Sequence, residues 1–272
     1  MRGASRDSLA GARDRLEDVG RSDDGAALGP VAEELFSVSA LLDREGALRR
    51  ALADPSLPGR TKTELARRLL DGQVGEQTMA VLDGAVSARW SRPADLLDAL
   101  DELGATTMLI VAEAAGELDD VEDELFRFSR IVDREPELLM ALTDQRLPLE
   151  RKRELSHALL EGRARPATLR LVDEVVAHPR GRTLDAALAG YAELAAQRRQ
   201  RLVATVRVAV ALTEEQEDRL AAALAREFGR QVQLQVEQDP AVLGGVHVKI
   251  GDEVLDGTVA GRLAEARRRL AG

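Results

Sequence analysis

Apolar side chains recur three and four positions apart through the first two hundred residues, and every second position beyond them. The first spacing buries one stripe of a helix; the second buries one face of a strand. Leu9, Ala12, Leu16 and Val19 share a helical stripe, as do Leu65, Leu69 and Leu70, and again Met79, Leu82 and Val86. Pro58 stands just ahead of the second stripe, where proline suits a helix start, and Gly72 follows it at a position a C-terminal cap would use. Past Arg201 the period shortens. Val206, Val208, Val210 and Leu212 alternate with Arg207, Ala209 and Ala211; Val232, Leu234 and Val236 do the same, and so do Val246, Val248 and Ile250. Each run predicts a strand with one buried and one wet face. Between the first two runs, Thr213 and Gln216 form a capping box for a helix carrying Leu220, Leu224 and Phe228, with Gly229 ending it. A last helix is expected over Thr258 to Leu270, its Arg267, Arg268 and Arg269 meeting the negative end of the dipole.

The helical region is internally repeated. Phe36 to Gly72 aligns without gaps onto Phe126 to Gly162 at a constant offset of 90, with 17 identities in 37 positions. Asp43/Asp133, Arg44/Arg134, Glu45/Glu135, Leu57/Leu147, Pro58/Pro148, Lys62/Lys152 and Leu69/Leu159 are among them, where chance would give roughly two or three. A period of 90 exceeds the ~20–50 residues of solenoid repeats and fits two small bundles. The join is expected near Ser91 to Leu103, with Leu103 to Ala115 as the counterpart of the first helix. Gly20 to Pro30 reads as a solvated loop. The fold class that follows is α+β: helical bundles over 1–95 and 96–200, then a small α/β domain with a mixed sheet over 201–272.

Composition narrows the functions. Aromatic residues are only 2% of the chain, so its cores are built from Leu, Val and Ala. The absence of cysteine removes disulfides, thiol nucleophiles and cysteine metal sites together. A net charge of −10 argues against a nucleic-acid surface, which carries a basic footprint. No apolar run reaches the ~18 residues of a membrane span, and the first twenty residues lack a signal-peptide core. Gly59 to Thr63 has a Lys-Thr pair without the spaced glycine of a phosphate loop. His157, His178 and His247 lack metal-ligand spacing, and His157 and His247 read as surface residues. Asp23-Asp24 and Asp119-Asp120 read as a loop and a helix start.

One stretch carries a specific pattern: Asp239-Pro240-Ala241-Val242-Leu243-Gly244-Gly245, an alternating run to Ile250, Gly251-Asp252, then Val254-Leu255-Asp256-Gly257-Thr258 with Arg262 and Leu263 beyond. Physically these are framework elements. Pro240 pre-sets a turn, Gly244 and Gly245 permit positive backbone angles, Gly251 suits a tight hairpin, and Asp256 or Thr258 can cap the final helix. The stretch resembles the C-terminal signature of the ATP synthase delta subunit, known in mitochondria as the oligomycin-sensitivity-conferring protein. Leu103 to Leu270 corresponds to that family's usual chain. The resemblance implies a non-catalytic stator without cofactor, metal or catalytic residue, on the cytoplasmic face of the cell membrane and without direct insertion. It implies partners in the N-terminal helices of the alpha subunits, the C-terminal helices of the b subunits and the beta subunit, and no nucleic acid. Two departures stand out. The family has one helical domain where this chain has two, as in actinobacterial long forms, and its early aromatic-alanine pair is absent from Thr106-Thr107-Met108-Leu109-Ile110-Val111-Ala112. The added copy is expected to reach the stalk or stiffen the joint. A stand-alone helical adaptor is the alternative reading.

Overall fold

The computed structural model describes residues 3–22, 28–144, 146–200, 203–228, 232–239, 242, 244–250 and 253–256. They form two compact units, Met1–Ala195 and Ala196–Gly272. The first is all helix. In chain order it contains α1 (Ala4–Ser22), α2 (Gly29–Arg44), α3 (Gly46–Ala53), α4 (Gly59–Leu70), α5 (Glu76–Ser87) and α6 (Pro93–Ala114). There follow α7 (Leu118–Arg134), α8 (Pro136–Thr143), α9 (Leu149–Leu160), α10 (Pro166–Ala177) and α11 (Leu184–Gln200), whose last residues belong to the second unit.

The offset of 90 holds for the architecture as well as the sequence. Bounds of α3, α4 and α5 map onto those of α8, α9 and α10 residue for residue. Shifted by the same amount, α1 falls on α6 and α6 falls on α11. One helix therefore serves twice: α6 closes the first copy as its sixth helix and opens the second as its first. α6 runs through the junction expected over Ser91 to Leu103 and through the boundary expected after residue 95. Leu96, Leu97, Leu100 and Leu103 belong to the core of the first copy, with Leu9, Leu16, Leu35 and Leu82. Met108, Leu109 and Ala112 are also buried. A helix buried on several sides shows an apolar run in place of a stripe, so it reads poorly as an amphipathic helix.

Both prolines stand where expected, at the N-cap of α4 (Pro58) and of α9 (Pro148). Gly72 and Gly162, just past the ends of those helices, have φ of 67° and 69°, where a side chain would be strained. Leu69 departs from the expected stripe: it and its repeat mate Leu159 are exposed, while Leu70 is buried.

The second unit holds a mixed four-stranded sheet in the order β2-β1-β3-β4, with β1 (Val203–Val208), β2 (Gln233–Gln238), β3 (Val246–Ile250) and β4 (Glu253–Asp256). β1 runs parallel to β2, with α12 (Glu214–Phe228) crossing between them, and antiparallel to β3. Ala204, Val206, Val208, Val248 and Ile250 fill one face beneath Leu224. β1 is shorter than its alternation suggests: it stops at Val208, and Val210 is exposed. The capping box of α12 is present, Gln216 N–H donating to Thr213 Oγ1 at 3.3 Å and Thr213 N–H to Gln216 Oε1 at 2.9 Å.

Candidate functional site

Two places hold the arrangements on which function can rest: the seam between the helical copies, and the signature stretch of the second unit.

At the seam, one face of α2 meets α6, α10 and the loop between α10 and α11. Phe36 lies against Gly104, whose position leaves no room for a methyl: an added Cβ would stand 2.8 Å from the ring. Over the ring sits the guanidinium of Arg170, 4.5 Å from its centroid, where a cation is attracted by the π face. Arg170 also donates from Nε to Glu33 at 2.7 Å and from Nη1 to Glu174 at 3.1 Å. Deeper in, the almost fully buried Arg180 donates to Ser39 Oγ at 2.7 Å and to the Leu97 carbonyl at 3.2 Å. Its other arm lies 3.5 Å from Glu174 and 3.6 Å from Asp101. Arg182 donates to Asp101 at 2.8 Å, and His178 contacts Glu174 at 2.9 Å.

This network offsets the burial of its own charges. Burial pushes the Glu174 carboxyl up, but His178, Arg170 and Arg180 outweigh it and hold the group below the ordinary glutamate value. Asp98, at the edge of the cluster, is raised: burial dominates the attraction of Arg182 and Arg180. Tyr191 on α11 is buried beside them, and burial first, then Asp101 and Glu174, keeps its phenol neutral well beyond its usual range. Arg180 adopts φ of 50°, a left-handed conformation rare outside glycine, which the surrounding hydrogen bonds hold in place.

Other polar contacts repeat at the same offset. Glu34 Oε2 accepts from Gly75 N–H at the N-cap of α5, and Glu124 Oε2 from Arg165 N–H at the N-cap of α10, both at 2.8 Å. Each fifth helix is thus capped by a carboxylate from the second helix of its copy, although neither N-cap residue supplies a side chain of its own. Lys62 is 1% exposed and donates to the Ala88 carbonyl at 2.6 Å. Burial lowers its ammonium below the ordinary lysine value, against the opposing pull of Asp54. Sequence reasoning missed Lys62, Arg180 and Asp101 because isolated charged residues read as solvated; the Glu34/Glu124 identity just outside the aligned window was the available signal for the caps.

In the second unit, Asp239 N–H donates to the Val208 carbonyl at 2.9 Å, tying the signature to the end of β1. Gly244 and Gly245, just ahead of β3, have φ of 70° and 83°, where a side chain would be strained. β3 and β4 pair as a hairpin in which Ile250 faces Glu253 and His247 faces Asp256. His247 is half-buried, not a plain surface residue. Pro240, Gly251, Gly257, Arg262 and the expected final helix lie outside the described residues, as do Asp23 and Asp24. Asp119 and Asp120 open α7, with Asp120 accepting from Arg165. His157 lies on α9 with Nε2 2.8 Å from Asp173. Among the described residues no group of three or more His, Cys, Asp or Glu could hold a metal ion, and no helix is long and apolar enough to cross a membrane.

Residues 105–270 match the family described as ATP synthase delta (OSCP) subunit. Across the whole chain, ATP synthase subunit delta of Streptomyces griseus is 52% identical over 274 residues, covering 100% of both chains. The proteins of the same name from Acidothermus cellulolyticus and Thermobifida fusca are 50% and 48% identical, again over 100% of both. The relatives thus include the additional helical copy that the family match leaves out. The chain belongs to the ATP synthase delta (OSCP) family, a non-catalytic structural subunit of that complex.

Proposed function

We propose that this chain is the stator subunit that links the alpha/beta catalytic head to the b-subunit peripheral stalk. It resists rotor torque, so that proton flow remains coupled to ATP synthesis. The observation that carries this reading is the end-to-end correspondence, at about half identity, with ATP synthase delta subunits. The helical part grips the N-terminal helices of the alpha subunits, with the beta subunit as a further contact, and the part after residue 200 receives the C-terminal helices of the b subunits. An amphipathic helix seated in a groove is the recognition mode suited to both. The complex holds the chain peripherally at the cytoplasmic face of the cell membrane.

The three-part division (1–95, 96–200, 201–272) is functional in this reading, the first two parts acting as a stiffened pair. The shared α6 and the buried charges of the seam support that stiffening. In a reconstituted complex, a chain ending at residue 200 should keep its helical circular dichroism and lose capture of the b subunits. Retained b-subunit capture would contradict the assignment. Cross-links from residues 4–92 of the full chain should reach the stalk; links confined to alpha N-termini would overturn the role given to the first copy.

A further inference from the structure

The seam carries ionisable side chains that the repeat does not call for. Shifted back by 90, Asp98, Asp101, Arg170, Glu174, His178 and Arg180 fall on Ser8, Gly11, Ala80, Gly84, Ala88 and Trp90, none of which is charged. The first copy forms the corresponding helices from those residues, so the bundle itself has no need of the charges. Their use is visible at Arg180. Its counterpart Trp90 closes its own copy: the indole is buried in that copy's core and donates to the Ala85 carbonyl at 2.8 Å. Arg180 instead reaches back to the first copy, to Ser39 on α2 and the Leu97 carbonyl on α6. What joins α2 to α10 is likewise a guanidinium, that of Arg170 on Glu33 and over the Phe36 ring. The apolar core of the first copy includes neither Leu171 nor Val175, although both are buried in the second.

α6 is common to both copies, and it is weakest midway. Gly104 lowers the stability of a helix interior, and Thr107 turns its hydroxyl back onto the Leu103 carbonyl at 2.7 Å, a bond that bends helices. We propose that Arg180 is a latch. Seated against Ser39 and Leu97, it holds the two copies as one body; withdrawn, it leaves each copy folded but free to bend about residues 104–107 of α6. The seat is strained. Arg180 holds φ of 50°, and its buried Nε has no hydrogen-bond partner among the described residues, so withdrawal into water relieves the backbone and solvates the nitrogen. Nor does withdrawal strand an acid: Asp101 keeps Arg182, and Glu174 keeps Arg170 and His178.

The inference goes beyond the stator reading and does not rest on it, since its test uses the free full-length chain. The chain has no cysteine, so a spin label attaches at introduced cysteines alone. Arg68→Cys with Ala158→Cys puts exposed labels at the same place in α4 and α9, one in each copy. Arg130→Cys with Ala158→Cys reports within the second copy. Double electron–electron resonance should give a narrow distance distribution for both pairs. Arg180→Met should broaden the between-copy distribution towards longer distances and leave the within-copy one unchanged. Arg180→Lys keeps a cation for Ser39 and Leu97 and should restore part of the narrow peak. With Arg180→Met, amides 104–108 should exchange hydrogen about tenfold faster, and those at the two ends of α6 should not. A between-copy distribution equal in the parent and in Arg180→Met, narrow or broad, would overturn the latch. So would loss of the within-copy distance, which would make Arg180 part of one indivisible fold. Unchanged exchange at 104–108 would refute the hinge assigned to α6.

Discussion

The first helical copy buries a phenylalanine that the second leaves in water. Phe36 and Phe126 occupy the same place in two versions of one bundle, yet one is wedged between Gly104 and Arg170 and the other stands open. The difference does not come from the local sequence, which repeats the flanking acid and serine. It comes from what lies alongside: α2 has the next copy's α10 beside it, and α7 has no further copy to follow. A repeat therefore fixes the helices and their caps, while neighbours decide which of its faces become core.

Substitution at the paired phenylalanines should break this comparison most strongly. Phe36→Ala should cost the helical unit about 3–5 kcal/mol, a cavity and a stranded guanidinium together, whereas Phe126→Ala should stay within ~0.5 kcal/mol. Denaturant midpoints of the two full-length variants measure the contrast, and equal losses would deny that the seam is structural. A smaller effect is expected at glycines. Gly104→Ala should destabilise by about 1–3 kcal/mol through collision with the Phe36 ring, while Gly190→Ala on α11, with no neighbour within 4 Å, should stabilise by ~0.5–1 kcal/mol. Thermal melts of the pair provide the check.

The mildest test is pH. Glu174 is held below its ordinary value of 4.5, so it binds fewer protons folded than unfolded near that pH. Its contribution is complete above the unfolded value and is lost as pH falls through the lower folded one. Glu174→Gln should therefore flatten the acid limb of the stability profile. An unchanged acid limb would mean the carboxylate is not held by its cationic neighbours.

Much of this fold is legible in the sequence. α1, α4 and α5, with the repeat mates α9 and α10, follow from stripes, prolines and glycines, and the three longer strands follow from alternation, because each has one wet face to set the period. The parts that escaped share a cause. α6 is buried on several sides and loses its stripe; Leu69 sits on a stripe and is exposed; Val210 continues an alternation past the end of its strand. Arg180, Asp101, Lys62 and Glu174 are buried charges, and burial of a charge depends on partners distant in the chain. Within the signature, Asp239 N–H bonds the Val208 carbonyl, and Gly244 and Gly245 take positive φ.

The double duty of α6 also explains why the repeat measures 90 residues. Each period counts five helices, the sixth being borrowed from the copy that follows. Such a helix acts as a gauge between the halves, since one added residue would rotate everything beyond it by about 100° and advance it by about 1.5 Å. Either half can tolerate insertions in its loops, but the length of this one rod is common property, and neither half can change it alone.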